Sequence, residues 1–324
     1  MSPIRLDLPA GSTRRPLEGD EAATLAPVLD ELAITPTGEV ERYVDLRMTK
    51  TYDVYRVPVA DPPGAAVLGA VVLKRAGAAE FAAHRRFLTD ASLPVSPMLR
   101  STADGGWLVF AWLAGHDLQR CSTSDAVALG NALARVQASH WQPAPTGLTA
   151  EQAALDRDVE QDQRWMAQWP ELEDGLVRVR RRWRECPWTL AHGDLYGMNV
   201  LVSEGRATLI DWNEARLAPW TRDAARFLAF ARPDGGVYQL GEAARETFVA
   251  SWLDELTGQL GGAAGVPGRE LLEADLAGAL LVQHVHALAW TVRAEAEGRP
   301  NPGREKWFGF SLEAAHQAAA GLTT

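Results

Sequence analysis

Three side chains that could carry chemistry lie within one short stretch, AHGDLYGMNVLVSEGRATLIDW (191–212). Asp194 follows a predicted strand, Asn199 comes five residues later, and Asp211 ends the second strand of a predicted hairpin. Phosphoryl transfer from a nucleotide needs a carboxylate to orient the attacking hydroxyl and hard oxygen ligands to hold magnesium. Asn199 and Asp211 are expected to face each other at the base of the hairpin, where their oxygens could reach one metal ion. The stretch therefore favours a phosphoryl-transfer site.

Each of these residues also has a structural interpretation. Asp194 could be an N-cap or turn residue, although Asn199 and Asp211 around it favour the catalytic one. His192 is expected to support the loop backbone by a hydrogen bond and not to act in catalysis. Asp223, further along the chain, is either a brace for this loop or the N-cap of the helix that follows it.

The same stretch resembles the aminoglycoside phosphotransferase and choline kinase-like family, which is related to the protein kinases. The family pattern HGDxxxxN is matched by His192, Gly193, Asp194 and Asn199. The family's I-D-W motif is matched by Ile210, Asp211 and Trp212, and its second aspartate by Asp223.

The resemblance implies a role for each matched residue. Asp194 would be the catalytic base, Asn199 and Asp211 the magnesium ligands, and Asp223 the brace of the catalytic loop, with His192 as structural support. The implied fold is α+β and bilobal, of the protein-kinase-like type. It would have a small antiparallel β-sheet N-lobe with one helix and a larger, mainly helical C-lobe.

The N-terminal part of the chain agrees with this fold. Lys74 ends a predicted strand, VLGAVVLK, in a chain that has only two other lysines, Lys50 and Lys306. By resemblance Lys74 would hold the α- and β-phosphates of ATP and pair with Glu80; the alternative is a lysine that merely extends from a strand end to solvent.

The resemblance also suggests where the rest of the nucleotide would bind. The adenine would meet the backbone of a hinge formed by Ala111, Trp112 and Leu113. The glycine-rich phosphate loop is absent, because the turn reads Met48-Thr49-Lys50-Thr51. Contact of Thr51 with phosphate is left open, since turn residues are commonly just solvated.

Patterning predicts the domain organisation. Residues 1–20 are expected to be a flexible lead-in, 21–113 the N-lobe with the nucleotide-binding sheet, and 114–324 the helical C-lobe with the catalytic loop and the acceptor-binding region. Alternation of apolar and polar residues over 40–60 predicts two strands, and residues 78–88 predict a helix.

Composition excludes several classes of partner. The net charge of −10 argues against a nucleic-acid binder, because phosphate contacts need surplus Lys and Arg. No stretch predicts a membrane span or a signal segment, and the two cysteines have no CxxC spacing. A cytoplasmic location is therefore expected.

The expected function is ATP- and Mg²⁺-dependent transfer of the γ-phosphoryl group to a hydroxyl of a small molecule. Acidic residues and the neighbourhood of Asn213 and Glu214 favour a cationic acceptor, first an aminoglycoside-like or other amine-bearing alcohol. Choline, ethanolamine, a ketoamine or a sugar remain open, as does a nucleotide-binding pseudo-enzyme without turnover. The oligomeric state is not predicted.

Overall fold

The computed structural model describes residues 12–45, 50–60, 69–232, 238–262, 265–299 and 304–322. The chain forms two compact units. Unit 1 consists of 1–133, 196–215 and 232–251, and unit 2 of 134–195, 216–231 and 252–324. Both units are discontinuous in sequence, whereas the sequence analysis expected one division after residue 113.

Unit 1 begins with a six-stranded antiparallel sheet and two helices. The elements are, in chain order, β1 (Ser12–Pro16), α1 (Gly19–Glu31), β2 (Glu41–Asp45), β3 (Lys50–Pro58), β4 (Ala70–Arg75), α2 (Ala78–Arg86), β5 (Met98–Ser101) and β6 (Trp107–Ala111). The strand order is β1-β2-β3-β4-β6-β5. Two of these elements differ from expectation, since β1 and the start of α1 lie in residues 1–20, which were expected to be a flexible lead-in. The pairing of β1 with β2 explains why residues 12–16 form a strand.

The remaining elements are shorter strands and longer helices. They are, in chain order, β7 (His116–Asp117), β8 (Arg120–Cys121), α3 (Thr123–Ser139), α4 (Thr149–Gln163), α5 (Glu171–Arg182), β9 (Trp188–Ala191), a 3₁₀ turn (Gly197–Asn199), β10 (Val200–Ser203), β11 (Arg206–Leu209), β12 (Arg216–Pro219), α6 (Arg222–Ala229), β13 (Ala231–Arg232), β14 (Tyr238–Leu240), α7 (Glu242–Gln259), α8 (Arg269–Ala296) and α9 (Arg304–Gly321). In the described part of the chain, no helix combines the length and apolarity that crossing a bilayer requires.

The core of unit 1 follows from alternation along the strands. Val57 of β3, Leu73 of β4 and Val109 of β6 are fully buried and pack with Leu25 and Leu29 of α1. Because successive side chains of a strand point to opposite faces, the same alternation that buries Leu73 turns Lys74 to the other face of β4.

Unit 2 is built around buried tryptophans. The rings of Trp220 and Trp252 lie 5.2 Å apart between centroids, and both are fully buried. Gln137 connects the two residues by hydrogen bonds. Its amide nitrogen donates to the Trp220 carbonyl (2.8 Å), and its amide oxygen accepts from the Trp252 indole N–H (2.7 Å). Trp290 of α8, by contrast, is 42% exposed.

Candidate active site

The loop that carries Asp194 belongs to unit 2 and follows β9, which pairs antiparallel with β12. Gly193 has φ +83°, a conformation that side chains other than glycine rarely adopt. The buried Asp223 carboxylate accepts hydrogen bonds from the backbone N–H of His192 (2.6 Å) and of Gly193 (3.0 Å). The Asp194 N–H in turn donates to His192 Nδ1 at 3.3 Å. Two side chains thus hold the backbone on both sides of Gly193.

Burial of Asp223 makes its charged form less stable than it is in water. Burial raises its pKa, while the neighbouring His192 and the two N–H groups act in the opposite direction. A buried carboxyl that accepts two backbone hydrogen bonds is a rigid support for a loop, because removing it leaves buried N–H groups without a partner.

The Asp194 side chain is 38% exposed and has a cationic neighbour that the sequence analysis missed. Arg226 of α6 donates from Nη2 to Asp194 Oδ1 at 2.9 Å and from Nη1 to Gln283 Oε1 of α8 at 3.1 Å. Its guanidinium lies over the ring of Phe230, 5.1 Å from the centroid. Only one sequence signal pointed to Arg226, namely its place in the helix that begins beside Asp223.

A second set of charged residues lies in unit 1. The Lys74 ammonium contacts Glu80 Oε1 and Asp211 Oδ1, each at 2.7 Å. Glu80 of α2 is 1% exposed, and burial raises its pKa although Lys74 opposes the rise. Lys74 thus lies between a buried carboxylate and Asp211, whose side chain is 44% exposed.

Asp211 has an unusual backbone conformation. Its φ of +65° lies in the left-handed region, which is rare for residues other than glycine, and such strain clusters at functional sites. Asn213 donates from Nδ2 to Asp211 Oδ1 at 2.8 Å. This contact and that of Lys74 orient the carboxylate.

The hairpin of β10 and β11 brings Asn199 close to Asp211. Val200 pairs with Leu209, and the Ile210 N–H donates to the Asn199 carbonyl at 3.0 Å. The two residues therefore flank the base of the hairpin, as their spacing predicted. The described residues hold no cluster of three or more His, Cys, Asp or Glu that could bind a metal by itself.

The other residues expected to bind nucleotide are distributed along β3 and β6. Ala111 is buried, and its N–H donates to the Pro97 carbonyl at 3.4 Å. Trp112 lies 5.4 Å from the guanidinium of Arg14 and 5.4 Å from that of Arg56. Leu113 is half-buried.

Two further expectations concern the turn before β3 and the segment after Asp211. The side chain of Thr51 and the turn 46–49 lie outside the described residues, so contact of Thr51 with phosphate stays a prediction. Glu214, expected to contact the acceptor, is exposed, whereas Asn213 is half-buried against Asp211.

Acid stability is expected to depend on His84, on the buried face of α2. Burial and the nearby Lys74 lower its pKa from 6.5 to about 4, and its ring contacts Phe110. Between these values the unfolded chain binds a proton that the folded one does not, so stability is lost as the pH falls from 6.5 towards 4, by up to ~3 kcal/mol. Denaturant titrations of His84→Leu should show a smaller loss over this range than wild type. The exposed His316→Leu is the control, and equal pH slopes for wild type and His84→Leu would refute the prediction.

Solved structures with the same fold cover nearly the whole chain. A choline kinase, LicA, from Streptococcus pneumoniae has a TM-score of 0.58 at 14% identity over 94% of this chain and 99% of that one. An amicoumacin kinase in complex with AMP-PNP, Ca²⁺ and Ami gives 0.55 at 13% identity over 92% and 94%. Spectinomycin phosphotransferase in complex with ADP and spectinomycin gives 0.52 at 13% identity over 96% and 100%. The predicted protein-kinase-like fold is confirmed.

A family model identifies the class. The model described as the phosphotransferase enzyme family matches residues 70–261, more than half of the chain. The chain belongs to the phosphotransferase enzyme family, as the motifs around Asp194 and Asp211 predicted. No curated protein sequence matches the chain.

Proposed function

We propose that this phosphotransferase moves the γ-phosphoryl group of ATP, with Mg²⁺, to a hydroxyl of a small molecule. The observation that carries the proposal is the contact of Lys74 with both Glu80 and Asp211 in unit 1. It combines a cation oriented for phosphate with a strained, exposed carboxylate, the groups that nucleotide-dependent phosphoryl transfer requires. The nucleotides bound in two of the similar structures, AMP-PNP and ADP, support it.

Unit 1 would bind the nucleotide. Lys74 donates to the α- and β-phosphates, with Glu80 limiting the directions in which its ammonium can point, and the backbone at Ala111, Trp112 and Leu113 receives the adenine. Among the hydrogen bonds between backbone groups in the described turns and loops, none involves Trp112 or Leu113. Their backbone N–H and C=O groups would therefore be available to the adenine.

The donor set fits magnesium. Asp211 and Asn199 offer one carboxylate and one amide oxygen at the base of the hairpin, and Mg²⁺ in nucleotide sites takes one or two protein ligands with phosphate and water completing the shell. Bound there, the ion would neutralise charge that develops on the transferred group.

Asp194 of unit 2 would orient the acceptor and take its proton. The acceptor oxygen forms a bond to the γ-phosphorus, the bond from that phosphorus to the β,γ-bridging oxygen breaks, and ADP leaves. Arg226 donates to Oδ1 of Asp194 and would help to orient that carboxylate toward the hydroxyl. His192 and Asp223 hold the loop while this occurs, and no covalent enzyme intermediate is needed.

The acceptor itself stays a prediction. The similar structures include a choline kinase and enzymes for two antibiotics, which supports a small-molecule acceptor for this chain without choosing among amine-bearing alcohols and sugars. Mg²⁺-dependent ATP consumption across aminoglycosides, amino alcohols, hydroxy acids and sugars tests the proposal. Binding of ATP without turnover on this panel would favour a pseudo-enzyme, and the absence of ATP binding would refute the proposed nucleotide site.

Lys74→Met is expected to lower kcat/KM for ATP by roughly 10²-fold, because a charge-assisted contact with the phosphates is lost. Initial rates at varied ATP measure the effect. The exposed Arg75→Met at the end of the same strand controls for loss of positive charge and should leave kcat/KM within about twofold. Equal values for Lys74→Met and Arg75→Met would contradict the role of Lys74.

A further inference from the structure

The side chains next to Asp194 in unit 2 are not arranged for a cation. Arg226 places a guanidinium 2.9 Å from the Asp194 carboxylate, and Gln283 holds that guanidinium from the other side. An ammonium group next to the reacting hydroxyl would meet this fixed positive charge. A cationic acceptor was expected from the acidic residues near Asn213 and Glu214 and from the net charge of −10. A net charge does not report where the charges lie.

Carboxylates near this surface are already paired. Asp158 of α4 accepts from Arg216 at 2.7 Å, and Asp162 of the same helix contacts His286 of α8 at 2.9 Å. An amine-bearing acceptor would share these carboxylates with the cationic or hydrogen-bonding groups that already contact them.

One cation of the same surface has no hydrogen-bonded carboxylate. Arg222 lies four residues before Arg226, on the same face of α6, and makes no hydrogen bond or ion pair with any other described residue. Its Nε is buried without a partner, although the residue as a whole is only half-buried. Burial and the neighbouring Arg216 and Arg226 lower its pKa to about 10, while Asp223 and Asp158 act in the opposite direction, so it stays charged at neutral pH.

Arg222 also lines a pocket. With Gln283, Trp183, Pro219, Ala279 and Val282 it lines a partly open pocket whose water-sized space is about 10 Å³. A space of that size holds about one water molecule, so the pocket has room for one small polar group such as a carboxylate oxygen. The apolar members of the lining would strengthen an ionic contact to Arg222 by excluding water.

We propose that the acceptor carries an anionic group, a carboxylate or a phosphate, which Arg222 binds while the acceptor's hydroxyl reaches Asp194. This proposal rests on the proposed function and names its substrate class. Four residues of helix rise about 6 Å, so the step along α6 from Arg222 to Arg226 is comparable with the length of a small hydroxy acid or phosphorylated alcohol. Gln283 would accept from a hydroxyl or amine elsewhere on the acceptor.

A binding test does not require the true acceptor. Four probes share a three-carbon skeleton and differ in charge: glycerate, glycerol 3-phosphate, glycerol and 3-amino-1,2-propanediol. At constant ionic strength, one or both anionic probes should raise the Tm of wild-type protein, and the neutral and cationic ones should not. The anion that acts distinguishes carboxylate from phosphate. No shift with either anion, or an equal shift with the cationic probe, would overturn the proposal.

Variants of Arg222 locate the effect. Arg222→Met keeps the aliphatic stem against the pocket and should abolish the anion-dependent shift, while Arg222→Lys should retain part of it. The matched control is Arg184→Met, which removes an exposed cation paired with Asp156 and should respond to anions as wild type does. Without ligand, Arg222→Met is expected to have a Tm equal to or above wild type, because an unpaired, partly buried cation is removed. Persistence of the anion effect in Arg222→Met would place the anion elsewhere and overturn the assignment.

Kinetics separate this proposal from the proposed function. For an acceptor that turns over, Arg222→Met should raise the KM for the acceptor roughly 10- to 100-fold with little change in kcat or in the KM for ATP, the loss expected for a hydrogen-bonded charge. ATP turnover that prefers neutral or cationic acceptors would refute the anion proposal and leave the phosphotransferase standing. Anion binding lost in Arg222→Met, with no ATP-dependent turnover on any acceptor, would refute the proposed function and leave the anion site standing.

Discussion

Asp194→Asn is expected to reduce turnover by about 10²- to 10⁴-fold, the contribution usual for a positioned general base. An amide has nearly the shape of the carboxylate but cannot take the hydroxyl proton, and it no longer neutralises Arg226, which lies 2.9 Å from Oδ1. The side chain is 38% exposed and its backbone is held by His192, so the fold should persist. Steady-state rates of ADP formation at saturating ATP and acceptor measure the loss.

A matched variant separates this effect from a general loss of charge. Asp156→Asn removes a carboxylate of α4 that is paired with Arg180 and should turn over as wild type does. Circular dichroism and the Tm of both variants check that they are folded. Turnover of Asp194→Asn within a factor of about ten of wild type would remove Asp194 from the role of base.

Asp223→Ala is expected to destabilise the protein by ~2–5 kcal/mol and to reduce turnover as well. The carboxylate satisfies the buried N–H groups of His192 and Gly193, and an unsatisfied buried donor costs about 1–3 kcal/mol. Asp223→Asn should cost less stability than Asp223→Ala, because its amide oxygen can still accept one of the two hydrogen bonds. Denaturant titration gives the free energies, and initial rates give the loss of turnover below the unfolding range.

The exposed Asp174→Ala, at the start of α5, serves as the reference for loss of a carboxylate and should change stability by less than ~0.5 kcal/mol. If Asp223→Ala unfolds at the same denaturant concentration as Asp174→Ala, the Asp223 hydrogen bonds do not stabilise the loop. If it is destabilised but turns over at the wild-type rate, Asp223 supports the fold without supporting the proposed catalytic loop.

Local sequence was informative wherever the residues involved are close along the chain. The Asp194 and Asn199 spacing, the hairpin that ends at Asp211 and the strand that carries Lys74 could all be predicted, because turn signals and alternation are local properties. The ion pair of Lys74 with Glu80 is similarly local, since only six residues separate them. The motifs also predicted the family and the protein-kinase-like fold.

Sequence patterning predicted secondary structure and burial less well where they depend on packing against residues that are distant along the chain. β1 was missed because a short Arg- and Pro-containing segment becomes a strand only by pairing with β2. Trp290 is a large apolar residue, yet its position on α8 turns it partly to solvent. Secondary structure at such positions depends on neighbours that the local pattern does not contain.

The sequence by itself determined the family, because the motifs around Asp194 and Asp211 resemble those of the phosphotransferase enzyme family whose model matches the chain. Only the tertiary structure decided how those groups are supported and what charge surrounds them. Arg226 is 32 residues from Asp194, and Gln283 is 57 residues from Arg226; their contacts arise when α6 packs against α8. Net charge sums over the whole chain, whereas Coulomb energy depends on distance. The composition therefore pointed to a cationic acceptor, whereas the folded arrangement leaves Arg222 as a cation without a hydrogen-bonded carboxylate among the described residues.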